Sequence, residues 1–137
     1  MQFVKKIKTA ILGLKAPKKF DQILKTLDSN SKVLDLGANV GDYSILLAKT
    51  GCVVYSYEPN PYAFKKLLER TKNFPNIKCF NKAVSNKNGK ARLYLHENHN
   101  IDPIKWSTGS SIDKNKKNVT KDFVEVECIN ISEVLDD

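Results

Sequence analysis

The chain has 137 residues, 41% of them hydrophobic and 28% charged, which suits a single folded domain and is too apolar for a disordered one. No apolar run approaches the roughly 18–20 residues that a membrane-crossing helix needs. The formal charge of +8 is concentrated at one end: residues 1–20 hold six lysines and no acid, while the other 117 residues carry 17 basic against 15 acidic side chains, a balance that disfavours a groove built to track nucleic acid.

In chain order, the basic leader comes first. Phe3, Val4, Ile7, Ile11 and Leu14 recur at helical spacing, so residues 1–30 are expected to be a basic amphipathic helical segment. Its longest apolar run, Ala10-Ile11-Leu12, is too short for a secretory signal. The segment either packs on the body with its lysines in water or docks through residues 1–19 on an acidic partner or, weakly, on an anionic membrane surface.

Residues 20–27 predict a short helix whose apolar face is Phe20, Ile23, Leu24 and Leu27. After the turn-forming Asp28-Ser29-Asn30-Ser31 a strand is expected over 33–36, then a glycine turn, then a helix carrying Tyr43, Ile45, Leu46, Leu47 and Ala48 that stops at Gly51. Val53–Tyr57 reads as a second strand, 62–72 as a helix and 77–84 as a third strand. Strand, helix, strand, helix, strand with short connections argues for a parallel sheet.

After Val84 the rhythm changes. The turn Asn86-Lys87-Asn88-Gly89, a strand over 91–95 and a strand over 123–129 suggest a β-hairpin, its strands separated by more than 20 polar residues. Loops of that length are usually functional or mobile. The basic patch at 114–121 reads as a solvated loop. Cys52, Cys79 and Cys128, with no paired spacing, read as buried reduced thiols rather than a metal site or a disulfide, which implies a reducing, cytoplasmic type of compartment.

The glycine turn is the first stretch that carries chemistry. A strand that enters a helix through Gly37, Asn39 and Gly41 presents free backbone N–H groups and the positive end of a helix dipole. Glycine permits left-handed geometry and close approach of a ligand, and asparagine tolerates that geometry best among residues with a side chain. Glu58 ends the second strand 21 residues after Gly37, close to the spacing of about 20 expected of an acid that holds ribose hydroxyls. The alternative is a turn that merely lets strand and helix pack closely. A pyrophosphate binder wants a third glycine where Asp42 stands, and an acid there would repel phosphate. With Asp35 also beside the turn, the site suits a nucleoside whose tail is cationic, namely S-adenosylmethionine.

The runs Val33-Leu34-Asp35-Leu36-Gly37-Ala38-Asn39-Val40-Gly41, Glu58-Pro59-Asn60-Pro61 and Ala83-Val84-Ser85 together resemble the FkbM family of S-adenosylmethionine-dependent methyltransferases. Gly109-Ser110-Ser111 and the terminal Val134-Leu135-Asp136-Asp137 also look like that family's pattern. The resemblance implies a Rossmann-like class I methyltransferase fold over 31–137, truncated after the first three parallel strands plus a β-hairpin. It implies that Asp35, Gly37, Asn39 and Gly41 line the methionine end of the cofactor, that Glu58 holds the ribose and that Ala83 lies near adenine. It also implies O-methyl transfer to a hydroxyl of a sugar or other small metabolite. In the family a further parallel strand pairs beside the first, so the chain is expected to correspond to the N-terminal half of the domain. A second polypeptide or self-association would then complete the sheet.

Candidates for a general base or for acceptor binding are His96, His99 and Asp102, with Ser110, Ser111, Trp106 and Tyr43 as further possibilities, and no catalytic residue is singled out. No metal site is expected, since His96 and His99 lack a third ligand nearby. Two other functions remain open at this point: a non-catalytic cofactor-binding remnant, and a basic protein that binds nucleic acid or an anionic surface.

Overall fold

β1 (Lys32–Leu36), β2 (Val53–Tyr57) and β3 (Ile77–Phe80) pair in parallel in the order β1-β2-β3. They form the first of two sheets in the computed structural model, which describes residues 17–136. The expected amphipathic helix over 3–14 lies outside the described residues. The register sets Leu36 against Tyr57 and Tyr57 against Phe80, so the carboxyl ends of the three strands are level. The ligand crevice of an open, Rossmann-like α/β sheet forms beyond that edge.

The helices follow from their sequences. α1 (Pro17–Leu24) turns Phe20 and Leu24, with Leu27 just beyond it, onto a core of Val33, Leu47, Ala48, Cys52 and Val54. α2 (Asp42–Ala48) is entered through Gly41 at φ 87° and buries Ser44, Leu47 and Ala48. α3 (Pro61–Thr71) begins with a proline behind the N-cap Asn60, whose side chain accepts the N–H groups of Tyr62 and Ala63 at 3.0 and 3.4 Å. Ala63, Leu67 and Thr71, four residues apart, form its buried face. Leu67 and Val54 are fully enclosed, each worth about 1.5–3 kcal/mol of apolar burial.

The expected third strand over 77–84 is in fact two. β3 stops at Phe80, and the chain enters a second sheet as β4 (Ala83–Ser85). Asn81 sits at the break: its side-chain amide donates to the carbonyls of Glu58 at 2.7 Å and Pro59 at 3.2 Å. The second sheet has the order β4-β6-β5, with β5 (Gly89–His96) antiparallel and β4 parallel to the central β6 (Val119–Asn130). Both hairpin strands run longer than their sequence suggests.

The connection between β5 and β6 is held down by a 3-10 turn at Ser107–Gly109 and by backbone pairing of Tyr94 with Ser111. The basic patch divides: residues 114–118 are exposed, and 119–121 open β6. A last helix, α4 (Ile131–Asp136), follows directly. Among the described residues β1 pairs with β2 alone, and no helix is long and apolar enough to cross a membrane.

Candidate functional site

Three left-handed residues, Gly37, Asn39 and Gly41 at φ 81°, 51° and 87°, carry the chain from β1 into α2. The turn is fastened to β2 by the N–H groups of Gly37 and Ala38, which both donate to the Tyr57 carbonyl at 2.8 and 3.0 Å. Glu58, the next residue after Tyr57, turns its carboxylate back to the turn. One oxygen accepts the N–H of Asn39 at 2.8 Å and the other accepts the N–H of Asn60 at 2.7 Å.

A cavity of about 240 Å³ opens beside this arrangement. Gly37, Asn39, Glu58 and Asn60 form one side; Leu93 from β5 and the hydroxyl residues Ser107, Thr108 and Ser110 form the other. A side-chain carbon added at Gly37 would meet nothing within 4 Å, so the backbone there faces open space. The volume falls below the roughly 300–1,000 Å³ of pockets that enclose a whole drug-sized ligand. A nucleoside cofactor would therefore be enclosed only in part.

Of the six residues expected to bind cofactor, the cavity brings together Gly37, Asn39 and Glu58. Asp35, Gly41 and Ala83 do not line it. Asp35 points beneath the turn, where its carboxylate accepts the Ser44 hydroxyl at 2.6 Å, and Ser44 in turn meets Ser56 at 2.8 Å. All three are buried. Gly41 is a packing glycine, because a Cβ there would lie 2.6 Å from Leu67 Cδ1. Ala83 does not end the third strand; it packs in the second sheet with Leu93 and Val126, and Leu93 alone of these reaches the cavity. Asp42, expected to repel phosphate, is turned outward and paired with Arg70 at 2.7 Å.

Burial raises the pKa of Glu58 above its ordinary 4.5, against the lowering effect of the two N–H donors, and the charge of Asp35 adds to the rise. Burial likewise raises Asp35 above 3.8, partly offset by the Ser44 hydroxyl and N–H. Glu58 in the cavity wall, with the buried Asp35 behind it, is costly to ionise alone, and a cation in the cavity would offset that cost.

The remaining candidates have structural partners. His96 is buried, stacks on Trp106 with ring centres 4.6 Å apart, and accepts the Asn98 N–H through Nδ1 at 3.1 Å. His99 Nδ1 lies 2.9 Å from the His96 carbonyl. Asp102 accepts the N–H groups of Ile104 and Lys105. Tyr43 packs edge-on against Phe20, 5.0 Å between ring centres, away from the cavity. Among the described residues no cluster of His, Cys, Asp or Glu is suited to a metal, and the three cysteines are free, Cys52 buried and the others half-buried.

Asn60, Leu93, Ser107 and Thr108 were missing from the sequence-based site. Asn60 stood in the Glu58-Pro59-Asn60-Pro61 run. The others lie 35 to 50 residues from Glu58, and only the pairing of the two sheets brings them to it.

A family model described as Methyltransferase FkbM domain matches residues 35–137. Among curated proteins, the chain is 38% identical over 61 residues to a tRNA (guanine(37)-N(1))-methyltransferase of Ciona intestinalis, covering 44% of this chain and 13% of that protein. It is 40% identical over 65 residues to the Drosophila melanogaster protein of the same description, covering 45% and 14%. The chain thus spans about one seventh of the curated relatives it matches. Among solved structures, a putative rRNA-methylase from Clostridium thermocellum aligns with a TM-score of 0.44 at 14% identity, covering 48% of this chain and 39% of that one.

Proposed function

The chain belongs to the FkbM methyltransferase domain family, and on that basis we propose that it binds S-adenosylmethionine in the cavity between the glycine turn and the Ser107–Gly109 turn and acts in methyl transfer. The observation that carries this reading is the Glu58 carboxylate, which faces the cavity while bonded to the turn through Asn39. Each carboxylate oxygen has a second lone pair for a ribose hydroxyl. Gly37 offers open backbone for close approach, and the buried Asp35 and Glu58 supply the negative field that a sulfonium and an ammonium require.

The cofactor supplies an electrophilic methyl group on sulfur. The residues of this chain would hold the nucleoside, keep its cationic tail near Glu58 with the buried Asp35 behind it, and cover it on the Leu93 side. Positioning of that kind accounts for much of the catalysis in a displacement of this type. The acceptor in this reading is a hydroxyl of a sugar or another small metabolite, as the family resemblance implies. A second polypeptide or a second copy of the chain would pair along the edge of β1 that carries no strand among the described residues.

Calorimetric titration with S-adenosylmethionine tests the site. Wild-type protein should bind and Glu58→Ala should bind at least tenfold more weakly; binding indifferent to that change would remove the reading. A screen of acceptors with labelled methyl donor then tests the hydroxyl class, and a labelled nucleobase would redirect it to RNA.

A further inference from the structure

The Ser107–Gly109 turn is held from two directions. On the cavity side, the amides of Asn39 and Asn60 donate to Ser107 Oγ at 2.7 Å and Ser110 Oγ at 3.2 Å. These are the two asparagines whose backbone N–H groups bind Glu58. The glycine turn, the N-cap of α3 and the distant turn are thereby joined around one carboxylate. Ser107 passes the bond on by donating to the Ile104 carbonyl at 2.6 Å.

On the opposite side the turn rests on an aromatic pair. Trp106, immediately before it, stacks on His96, and Gly109 lies so close to the His96 ring that a Cβ there would sit 2.2 Å from Cδ2. The Lys116 side chain adds a bond to the Gly109 carbonyl at 3.1 Å.

Between the two fastened serines stands Thr108. It is exposed and lines the cavity, and its hydroxyl alone of the three makes no hydrogen bond with another described residue. A turn fixed on both sides presents this group with little rotational freedom left in the backbone, the condition under which a hydrogen bond to a ligand costs least entropy. We propose that Thr108 is a ligand-contacting residue of this cavity, its hydroxyl bonding the nucleoside cofactor, with Ser107 and Ser110 as the residues that position it. The inference rests on the cofactor reading above.

The test uses the whole chain and S-adenosylhomocysteine as probe. Binding is read by calorimetry and by the emission of Trp106, the chain's single tryptophan, which reports on the turn directly. Thr108 is exposed, so Thr108→Val should leave the fold intact. It should weaken binding roughly three- to tenfold, the range of one hydrogen bond, and Thr108→Ser should restore it. In a Ser107→Ala/Ser110→Ala background, Thr108→Val should cost nothing further, because the hydroxyl is no longer held in place. If Thr108→Val binds as well as wild type while Glu58→Ala does not bind, the inference fails and the cofactor reading stands. A wild-type chain that does not bind the probe overturns both.

Discussion

Asn39 and Glu58, 19 residues apart, are joined by a 2.8 Å hydrogen bond from the backbone N–H of the first to the carboxylate of the second. The glycine turn and the strand-end acid, two separate features of the sequence, thereby become one wall of one cavity. The bond also makes Glu58 a structural residue as well as a ligand candidate.

Removing that carboxylate should therefore cost stability even without ligand. Glu58→Ala leaves the N–H groups of Asn39 and Asn60 without their acceptor, a loss of about 1–3 kcal/mol. Glu58→Gln retains a carbonyl oxygen and should recover part of it. Urea unfolding measures both, and equal midpoints for wild type and Glu58→Ala would show that the bond does not matter to the fold.

The two buried acids set opposite pH trends for folding and for binding. Their folded pKa values lie above the ordinary 3.8 of Asp35 and 4.5 of Glu58, chiefly through burial. The fold therefore binds the more protons of the two states. The contribution of these groups to stability is full below the ordinary values and is lost as pH rises through the raised folded ones. Affinity for a sulfonium ligand should climb over that same window as the carboxylates ionise. Asp35→Asn should remove its share of the stability decline; unfolding curves between pH 3 and 8 that match wild type would contradict the assignment.

Gly41 should resist substitution for reasons of packing. Gly41→Ala places a Cβ in a left-handed residue at φ 87°, 2.6 Å from Leu67 Cδ1. Strain and overpacking together predict a loss of about 1–4 kcal/mol. Truncating Leu67 to alanine in the same chain should relieve the overpacking, so the double variant should be less destabilised than the two single costs added. Strict additivity would place the whole effect in the backbone.

Gly109→Ala should disturb the β5–β6 connection specifically, since the added carbon meets the His96 ring at 2.2 Å. The His96–Trp106 stack must then open or the turn must shift. The tryptophan emission should change and the chain should lose about 1–3 kcal/mol. Unchanged emission with unchanged stability would mean that the turn moves freely.

The order of strands and helices as far as Phe80 was legible in the sequence, because each element declares itself locally. Short apolar strands, the Asn60-Pro61 helix start, and Gly41 and Gly51 at helix boundaries all act within a few residues of themselves. The pairing of the turn with Glu58 was legible too, since parallel strands with level ends bring the residues after each strand to one edge.

What the sequence could not declare was anything decided between the two sheets. The break at Asn81 depends on carbonyls at Glu58 and Pro59, and without it 77–84 reads as one strand. Ala83 moves from an expected place beside the ligand into the second core because β4 pairs with β6, a strand more than 35 residues further on. Asp35 faces down to Ser44 rather than up to the cavity. Ser107 reaches Asn39 of the glycine turn across 68 residues, and Ser110 reaches Asn60 across 50. Local chemistry selects helix, strand and turn within a few residues, whereas contacts between distant segments form only when the chain buries its apolar surface as a whole. The motif was therefore written in the sequence, and the far wall of the site was set by tertiary packing.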